Sequence, residues 1–312
     1  MFPTPAEPVA ALDCGTNSTR LLVVDAEGHT LIRLMRVTRL GEGVDATHQL
    51  SEDAIARTVG VLAEFRAVMD GYGVKHARMV ATSAVRDAVN GEQMLVRASE
   101  AVGFPAELLA GDEEGRLAYL GATADLPASD GDDVVVDIGG GSTELVAARE
   151  GRIEAVSLDL GCVRLTERYL LDDPPLPAQL LAATAAVDEA LERAAAAVSA
   201  LQDLRPRSRL LGLAGTVSTL AALDRELAAD DYRSLHHATL TVGTVGRWYG
   251  VLAAEPARAR LARPGMAQGR QDVIVGGALV LHEVMDRFGF DRCTVSQSDI
   301  LDGLAASVLA GD

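Results

Sequence analysis

Two stretches of this 312-residue sequence repeat one pattern, and the second follows the first by 124 residues, as from Asp13 to Asp137. They read LDCGTNSTRLLV (12–23) and VDIGGGSTELVA (136–147). The identical positions, aligned without a gap, are Asp13 and Asp137, Gly15 and Gly139, Ser18 and Ser142, Thr19 and Thr143, and Leu21 and Leu145. In each stretch an apolar run ends at an aspartate, a loop of small polar residues follows, and the chain becomes apolar again. This pattern predicts one β-hairpin that occurs twice.

The loop of such a hairpin suits the binding of phosphate. Glycine can adopt a positive φ and lets a ligand approach the backbone, successive N–H groups form an anion nest, and hydroxyls add donors. The candidate phosphate ligands are Asp13, Gly15, Thr16, Asn17, Ser18, Gly139, Gly140, Gly141, Ser142 and Thr143. A flexible turn without a ligand is the alternative. The loops are neither Walker A motifs, which need a following lysine, nor dinucleotide fingerprints, which lead into a helix.

The two copies differ at one informative position, where the first has Arg20 and the second has Glu144. Arginine suits direct contact with phosphate. Asp137 and Glu144 flank one loop, and Mg²⁺ prefers one or two carboxylates together with phosphate oxygens and water. We therefore predict that Arg20 binds phosphate and that Asp137 and Glu144 bind Mg²⁺ or another divalent ion. The alternative for Glu144 is a solvated position on a strand.

The remaining chain alternates strand and helix patterns, which predicts an α/β protein with strand-first blocks in both halves. Strands are expected at 9–12, 20–25, 30–36, 77–83, 106–110, 134–137, 144–149, 153–160, 208–215 and 293–296. Helices are expected at 52–70, 91–102, 113–121, about 178–201, 216–223, 271–288 and 299–309. Ser51 is the expected N-cap of the first of these helices. The polar segment 124–133 is a candidate domain boundary.

Charge and composition exclude several classes of function. The net charge is −17, from 45 acidic and 28 basic residues, and a field of that sign repels nucleic acid and anionic membranes. We therefore expect no nucleic-acid or membrane partner, and any phosphate chemistry must depend on local N–H groups, arginines and metal. The N-terminus does not resemble a signal peptide, and no apolar run is long enough for a membrane span. Three dispersed cysteines, Cys14, Cys162 and Cys293, suggest a reducing cytoplasm.

Five further motifs are spread over nearly the whole chain. They are ATSAVRDAVN (81–90), AGDEEGRLAYLG (110–121), SLDLGCVRLTERYL (157–170), GLAGTVSTLAAL (212–223) and GRQDVIVGGALVL (269–281). Together with the two loops, they resemble the exopolyphosphatase / guanosine pentaphosphate phosphohydrolase family, in the actin-like superfamily. The pattern is most similar to the short, two-domain actinobacterial-type members.

The resemblance implies two actin-like (ribonuclease H-like) α/β domains with a cleft between them. It assigns 1–121 plus 296–312 to the first domain and 122–295 to the second. It implies that Glu114, with Glu113 as the adjacent alternative, activates the water that attacks a terminal phosphate. It also implies that Arg86 contacts phosphate, as does Arg270 from the second domain, and that Gly215 and Thr216 bind an anion at the start of a helix.

The sequence departs from the family pattern near its C-terminus, where SQSDILDG (296–303) has Leu301 and Asp302 in place of a Leu-Arg pair. A basic contact is missing there, which favours short chains of polyphosphate as substrate. Inorganic polyphosphate, guanosine penta- or tetraphosphate and nucleoside triphosphates remain alternatives as substrates or ligands. A nucleotide sensor with low turnover and a sugar-kinase-like phosphotransferase remain alternatives as activities. A homodimer is the expected assembly.

Overall fold

The computed structural model describes residues 7–127, 129–227 and 232–311. Residues 1–6, 128, 228–231 and 312 lie outside these ranges. The signal-peptide prediction depends partly on residues 1–6, and residue 128 belongs to the predicted boundary segment. The chain divides into two compact units. Unit 1 comprises Met1–Ala124 and Ser298–Asp312, and unit 2 comprises Asp125–Gln297.

The strands are β1 (Val9–Cys14), β2 (Ser18–Val24), β3 (Thr30–Val37), β4 (His76–Ala81), β5 (Ala106–Leu108), β6 (Asp133–Ile138), β7 (Thr143–Arg149), β8 (Arg152–Leu158), β9 (Arg209–Leu213), β10 (Thr239–Thr241) and β11 (Arg292–Val295). The α-helices are α1 (Val44–Thr47), α2 (Glu52–Gly71), α3 (Ser83–Arg86), α4 (Gly91–Val102), α5 (Gly111–Thr123), α6 (Cys162–Tyr169), α7 (Pro177–Ala197), α8 (Ala214–Asp224), α9 (Val242–Ala253), α10 (Ala257–Leu261), α11 (Ile274–Arg287) and α12 (Ile300–Ala310).

Each unit contains one mixed sheet of the same topology. Unit 1 has the order β3-β2-β1-β4-β5, with β1, β4 and β5 parallel and β2 antiparallel to both of its neighbours. Unit 2 has the order β10-β11-β9-β6-β7-β8, in which β6, β9 and β11 are parallel and β10 adds an antiparallel edge. The central strand β1 is buried at all six positions, as expected for a sheet covered on both faces. Two mixed sheets with the same order of equivalent strands confirm the predicted α/β fold class with two related domains.

The predicted duplication of the hairpin is confirmed at the level of strand register. Asp13 lies opposite Arg20 in the β1–β2 pair, and Asp137 lies opposite Glu144 in the β6–β7 pair. A slip of one residue in either hairpin would turn every side chain to the other face of the sheet. The equivalent residues of the two copies therefore occupy equivalent places in their units.

Several local predictions are confirmed, and several boundaries are wrong, such as the start of the helix predicted at 271–288, which begins at Ile274. The Ser51 hydroxyl caps α2 by accepting the Ala54 N–H at 3.2 Å, and α4 has both of its predicted ends. The strand predicted at 208–215 ends at Leu213, because Ala214 already belongs to α8. The long helix predicted at 178–201 ends as an α-helix at Ala197 and is followed by a 3₁₀ turn.

The last helix, α12, packs against α5 within unit 1 at two glycines. A Cβ added to Gly303 would lie 2.2 Å from the Leu117 carbonyl oxygen, and one added to Gly121 would lie 2.0 Å from that of Asp299. Both distances are far below ordinary contact, so only glycine permits this approach of the two backbones. Asp299, at the start of α12, is thereby held within unit 1.

Two further properties concern the helices and the cysteines. None of the helices in the described residues has the length and apolar character that a membrane span requires. All three cysteines are free and buried.

Candidate active site

The two hairpin loops have the same backbone geometry. The Gly15 N–H donates to the Ser18 carbonyl at 3.0 Å, and the Gly139 N–H donates to the Ser142 carbonyl at 3.0 Å. The predicted reason for the glycines is partly wrong, because none of Gly15, Gly139, Gly140 and Gly141 has a positive φ.

The carbonyl groups of each loop are bound by the segment that follows the third strand of its unit. In unit 1 the Gly41 N–H donates to the Thr16 carbonyl at 2.8 Å, and Thr38 donates to the Asn17 carbonyl at 3.1 Å. Both loop carbonyls are therefore held by their own unit. This arrangement leaves the opposite side of the loop to its N–H groups.

In unit 2 the corresponding donors are the first N–H groups of α6. Cys162 donates to the Gly139 carbonyl at 3.0 Å and Val163 to the Gly140 carbonyl at 2.9 Å, while the Arg164 Nε donates to the Gly141 carbonyl at 2.7 Å. The first N–H groups of this helix are thus already hydrogen-bonded to the loop.

The loop N–H groups are available to a ligand. Within the described parts of the chain, the N–H groups of Thr16, Asn17, Gly140 and Gly141 donate to no protein acceptor. The side-chain Nδ2 of Asn17 is buried and also has no partner there. Buried donors without acceptors are rare in proteins, so the Asn17 amide, together with the open N–H groups of the two loops, favours the binding of anions at these loops.

One predicted phosphate ligand is used differently. The Thr143 hydroxyl donates to the Leu160 carbonyl and is completely buried. The corresponding Thr19 hydroxyl is hydrogen-bonded to Thr38 at 3.0 Å. Because a hydroxyl has a single hydrogen to donate, Thr143 holds the loop against the chain behind it, which corrects the phosphate contact predicted for this residue.

Arg20 is engaged by carboxylates within unit 1. Its Nε and Nη2 donate to the Asp13 Oδ2 at 2.9 and 2.6 Å, and its Nη1 donates to Asp299. Arg33 on β3 donates to Asp299 and to Asp302. The phosphate contact predicted for Arg20 stays a prediction, since the structure directs its guanidinium to aspartates.

Asp13 keeps one oxygen for another partner. The second oxygen, Oδ1, is buried and has no hydrogen-bond partner among the described residues. Burial raises the pKa of the Asp13 carboxyl, and the neighbouring Arg20 charge opposes this rise. A buried carboxylate oxygen without a donor is costly, so this atom fits a water or a cation that arrives with a ligand.

In unit 2 the equivalent pair is two carboxylates. Asp137 and Glu144 are directly opposite each other on neighbouring strands, and both are buried, with 8% and 1% exposure. The Ser157 hydroxyl donates to the Glu144 Oε1 at 2.7 Å. The alternative of a solvated strand position for Glu144 is therefore wrong. Carboxylate oxygens are the ligands that hard divalent cations prefer, so two buried carboxylates in register fit a divalent-cation site.

The two adjacent glutamates at the start of α5, Glu113 and Glu114, have different partners and different exposure. The Glu114 Oε2 accepts from the Arg86 Nη1 at 3.0 Å, and the same nitrogen donates to the Leu109 carbonyl at 2.8 Å. The Glu114 side chain is 13% exposed, whereas that of Glu113 is 50% exposed and pairs with Arg78 at 3.3 Å. The structure thus brings Arg86 and Glu114 together and directs Glu113 elsewhere.

The start of α8 contains the predicted pair Gly215 and Thr216 together with Arg270. A Cβ at Gly215 would lie 1.8 Å from the Arg270 Cζ, so the guanidinium lies directly over this glycine. Arg270 is only 9% exposed. Ala214, just before them, has φ 62°, an uncommon left-handed conformation for a residue other than glycine. Such strain at the first residue of a helix is typical of functional sites.

These residues gather at the carboxyl ends of the central strands of each sheet. Asp13 pairs in register with Val80 of β4, which leads to α3, and Asp137 pairs with Leu213 of β9, which leads to α8. Within each unit, the loop and the helix start therefore share one edge. Sequence reasoning missed Gly161 and Arg164, which support the second loop. The only signal for them was the motif at 157–170, which by itself carries no chemistry.

The fold and these loops define a duplicated α/β protein with one glycine-containing hairpin loop in each unit. The chain matches the model of the Ppx/GppA phosphatase family over residues 22–310. It belongs to this family, as its motifs predicted.

Individual relatives agree over the full length. Exopolyphosphatase 2 of Mycobacterium tuberculosis is 40% identical, with 97% of this chain and 98% of that protein covered. The crystal structure of the Ppx/GppA family member of Aquifex aeolicus is 31% identical, covers 99% of each chain and has a TM-score of 0.79. The structure of an exopolyphosphatase from Cytophaga hutchinsonii is 26% identical, covers 98% of each chain and has a TM-score of 0.88.

Proposed function

We propose that this protein is an exopolyphosphatase that hydrolyses the terminal phosphoanhydride bond of inorganic polyphosphate and releases orthophosphate. The observation that carries the proposal is the pair of loops whose carbonyls are bound from behind and whose N–H groups have no protein acceptor among the described residues. Such loops suit the oxygens of a phosphate chain, whatever the net charge of −17. The relation to Exopolyphosphatase 2 of Mycobacterium tuberculosis supports the same substrate class.

Glu114 is the proposed general base. Its carboxylate accepts a proton from water as the water oxygen attacks the terminal phosphorus, the bond to the bridging oxygen breaks, and the shortened chain leaves with that oxygen. Arg86, which holds the Glu114 carboxylate at 3.0 Å, orients the base and balances charge near the phosphate. General bases contribute about 10²–10⁴-fold. Glu113 is not assigned this role, because it is half exposed and paired with Arg78.

The proposed phosphate ligands are the loop N–H groups of both units, the hydroxyl of Ser142 and the Asn17 amide, with Gly215, Thr216 and Arg270 at the start of α8. The fit of Asp137 and Glu144 supports Mg²⁺ as the proposed ion, with these two residues holding it in unit 2. When bound, this ion would neutralise charge on the phosphate oxygens. In unit 1, Asp13 would hold water or a cation through its open oxygen.

Short chains are the proposed substrates. Arg20, on the strand that follows the first loop, and Arg33 on β3 are both bonded to Asp299 and are therefore less available to extra phosphates. The same observation favours a second candidate of similar size, the 5′ γ-phosphate of guanosine pentaphosphate or of a nucleoside triphosphate. A cytoplasmic location and a homodimer complete the proposal, and mass measurement in solution tests the latter.

The test is phosphate release with Mg²⁺ from tripolyphosphate, long-chain polyphosphate, guanosine pentaphosphate and ATP. We expect turnover of tripolyphosphate that falls by at least about 10²-fold in Glu114→Gln and by less than threefold in Glu113→Gln. Turnover only of the nucleotides would favour the second candidate. Binding without turnover of any substrate by the wild-type protein would overturn the hydrolase proposal and leave a nucleotide or polyphosphate sensor.

A further inference from the structure

Arg260, on α10, is an arginine whose guanidinium is used entirely inside unit 2. It is 2% exposed. Its Nε donates to the Glu255 carbonyl at 2.9 Å, its Nη1 donates to the Gln271 carbonyl, and its Nη2 pairs with the Asp173 carboxylate. The second oxygen of Asp173 accepts the Ala257 N–H at 2.8 Å, which fixes the carboxylate at the start of α10. The planar fork thus joins three separate segments of the chain.

One of those segments is the turn that carries Arg270. Gln271 follows Arg270 directly, and its side chain accepts the Gly269 N–H at 2.8 Å. Gly269 has φ 85°, a conformation that favours glycine. The Arg270 N–H donates to the Ala267 carbonyl at 3.2 Å, and its own carbonyl accepts from Val273 at 3.0 Å. This turn is short, and its residues are hydrogen-bonded to one another. The hydrogen bond from Arg260 to the Gln271 carbonyl therefore helps to fix the backbone of Arg270.

The position of the Arg270 side chain has little freedom. Its guanidinium lies over Gly215. A Cβ added to this glycine would lie 1.8 Å from the Arg270 Cζ, so the guanidinium occupies the space that any side chain at position 215 would need. Burial raises the pKa of the Cys162 thiol, and the nearby charge of Arg270 opposes that rise. Cys162 donates its N–H to the second loop, which brings Arg270 close to the loop of unit 2.

We propose that Arg260 is a positioning residue that sets the place of the Arg270 guanidinium over Gly215. The proposal rests on the proposed function, in which Arg270 binds phosphate. Arg260 itself touches no phosphate, because its fork is occupied by Glu255, Asp173 and Gln271. A lysine at this position keeps the charge but has no planar fork that reaches the three acceptors together.

Arg263 offers a matched control two residues after α10. It pairs with the Glu255 carboxylate, from Nε to Oε2 at 2.7 Å, and its side chain is 32% exposed. Its guanidinium donates to no residue of the turn at 267–273 in the described structure. An arginine-to-lysine change there alters the ion pair with Glu255 and the contact with the Trp248 ring, and it removes no hydrogen bond to the turn that carries Arg270.

The experiment is a double-mutant cycle with Arg260→Lys, Arg270→Lys and the two together, with Arg263→Lys as control. Hydrolysis of tripolyphosphate with Mg²⁺ gives KM and kcat, and the Nε–Hε resonance of Arg270 in ¹⁵N-arginine NMR spectra reports its surroundings without any turnover. The resonance is assigned by its loss in Arg270→Lys. Thermal unfolding of each variant shows whether it is folded.

We expect Arg260→Lys to raise KM about tenfold with a smaller change in kcat, since even a 1 Å misplacement costs up to about 10²-fold. In the Arg270→Lys background the same change should cost less than twofold, because its effect passes through Arg270. The Arg270 resonance should shift in Arg260→Lys and remain in place in Arg263→Lys. Full additivity in the cycle, or an unmoved resonance in a folded Arg260→Lys protein, would overturn the positioning role. If the wild-type protein showed no turnover and the Arg270 resonance still shifted in Arg260→Lys, the proposed function alone would be overturned and the positioning role would stand.

Discussion

Replacing Gly161 with alanine probes how the second loop is supported. Gly161 is the N-cap of α6, and its φ of −128° and ψ of 167° are open to any residue. Space, and not conformation, is therefore what requires glycine. An added Cβ would lie 2.3 Å from the Gly140 carbonyl oxygen and 2.6 Å from the Gly141 nitrogen. These are backbone atoms, which cannot move aside as the end of a flexible side chain can.

The size of the effect follows from this distance. Ordinary contacts of a Cβ begin at 3.4 Å, so the loop and the helix start must separate by about 1 Å. Overpacking of this kind costs typically about 1–3 kcal/mol of unfolding free energy. Displacement of a binding group by about 1 Å can cost on the order of 10²-fold in rate. We therefore expect kcat/KM for tripolyphosphate to fall about 10²-fold in a protein that is destabilised but folded.

The assay is phosphate release together with urea denaturation of Gly161→Ala and of Gly250→Ala. Gly250 lies within α9 of the same unit and has no atom within 4 Å of an added Cβ. Alanine there should keep full activity and stabilise by about 0.5–1 kcal/mol. If Gly161→Ala retained kcat/KM within threefold while losing the expected stability, the loop at Gly140 and Gly141 would not position the substrate.

Three other perturbations test single groups. Hydrogen bonds from Arg149 hold the pKa of Asp132 well below its ordinary 3.8, so the stabilisation is complete above that pH and is lost as the pH falls through the lowered native pKa. Asp132→Asn should therefore lower the unfolding free energy by about 1.5–3 kcal/mol at pH 7 and by progressively less below pH 3.8. Urea denaturation at several pH values measures this, and an equal loss at every pH would contradict the account. Asn17→Ala removes a buried donor that has no partner among the described residues, so the unfolding temperature should change little. The affinity for tripolyphosphate, measured by calorimetry, should fall roughly tenfold or more. An unchanged affinity would exclude Asn17 as a ligand. Arg20→Met leaves Asp13 without its cation and should lower the unfolding free energy by about 3 kcal/mol, as measured by urea denaturation. A change below about 1 kcal/mol would show that the ion pair of Arg20 and Asp13 contributes no net stability.

Local patterns in the sequence were sufficient for the strands, the hairpins and many helix ends. The repeated aspartate, glycine and hydroxyl positions predicted two hairpins of one kind, and the register of Asp13 with Arg20 and of Asp137 with Glu144 agrees. Helix α4 was predicted with both of its ends. Such features depend on residues at most a few positions apart, where side-chain period and capping chemistry act directly.

Contacts over long sequence separations were beyond those patterns. Nothing near Arg20 indicates that its guanidinium bonds to Asp299, which is 279 residues away, because only the packing of α12 within unit 1 brings them together. The sequence likewise does not distinguish the glycines that turn the chain from Gly161 and Gly215, which leave room for a backbone and a guanidinium.

The sequence by itself therefore determined the fold class, the duplicated loops and the family of this protein, because periodicity and motif spacing are local. The tertiary structure alone decided which partner each charged group has. It paired Glu114 with Arg86, directed Glu113 to Arg78, and joined Arg260 to the turn of Arg270. The physical reason is that charges and hydrogen-bonding groups interact only at short range in space, and the order of strands and the packing of helices determine which of them meet.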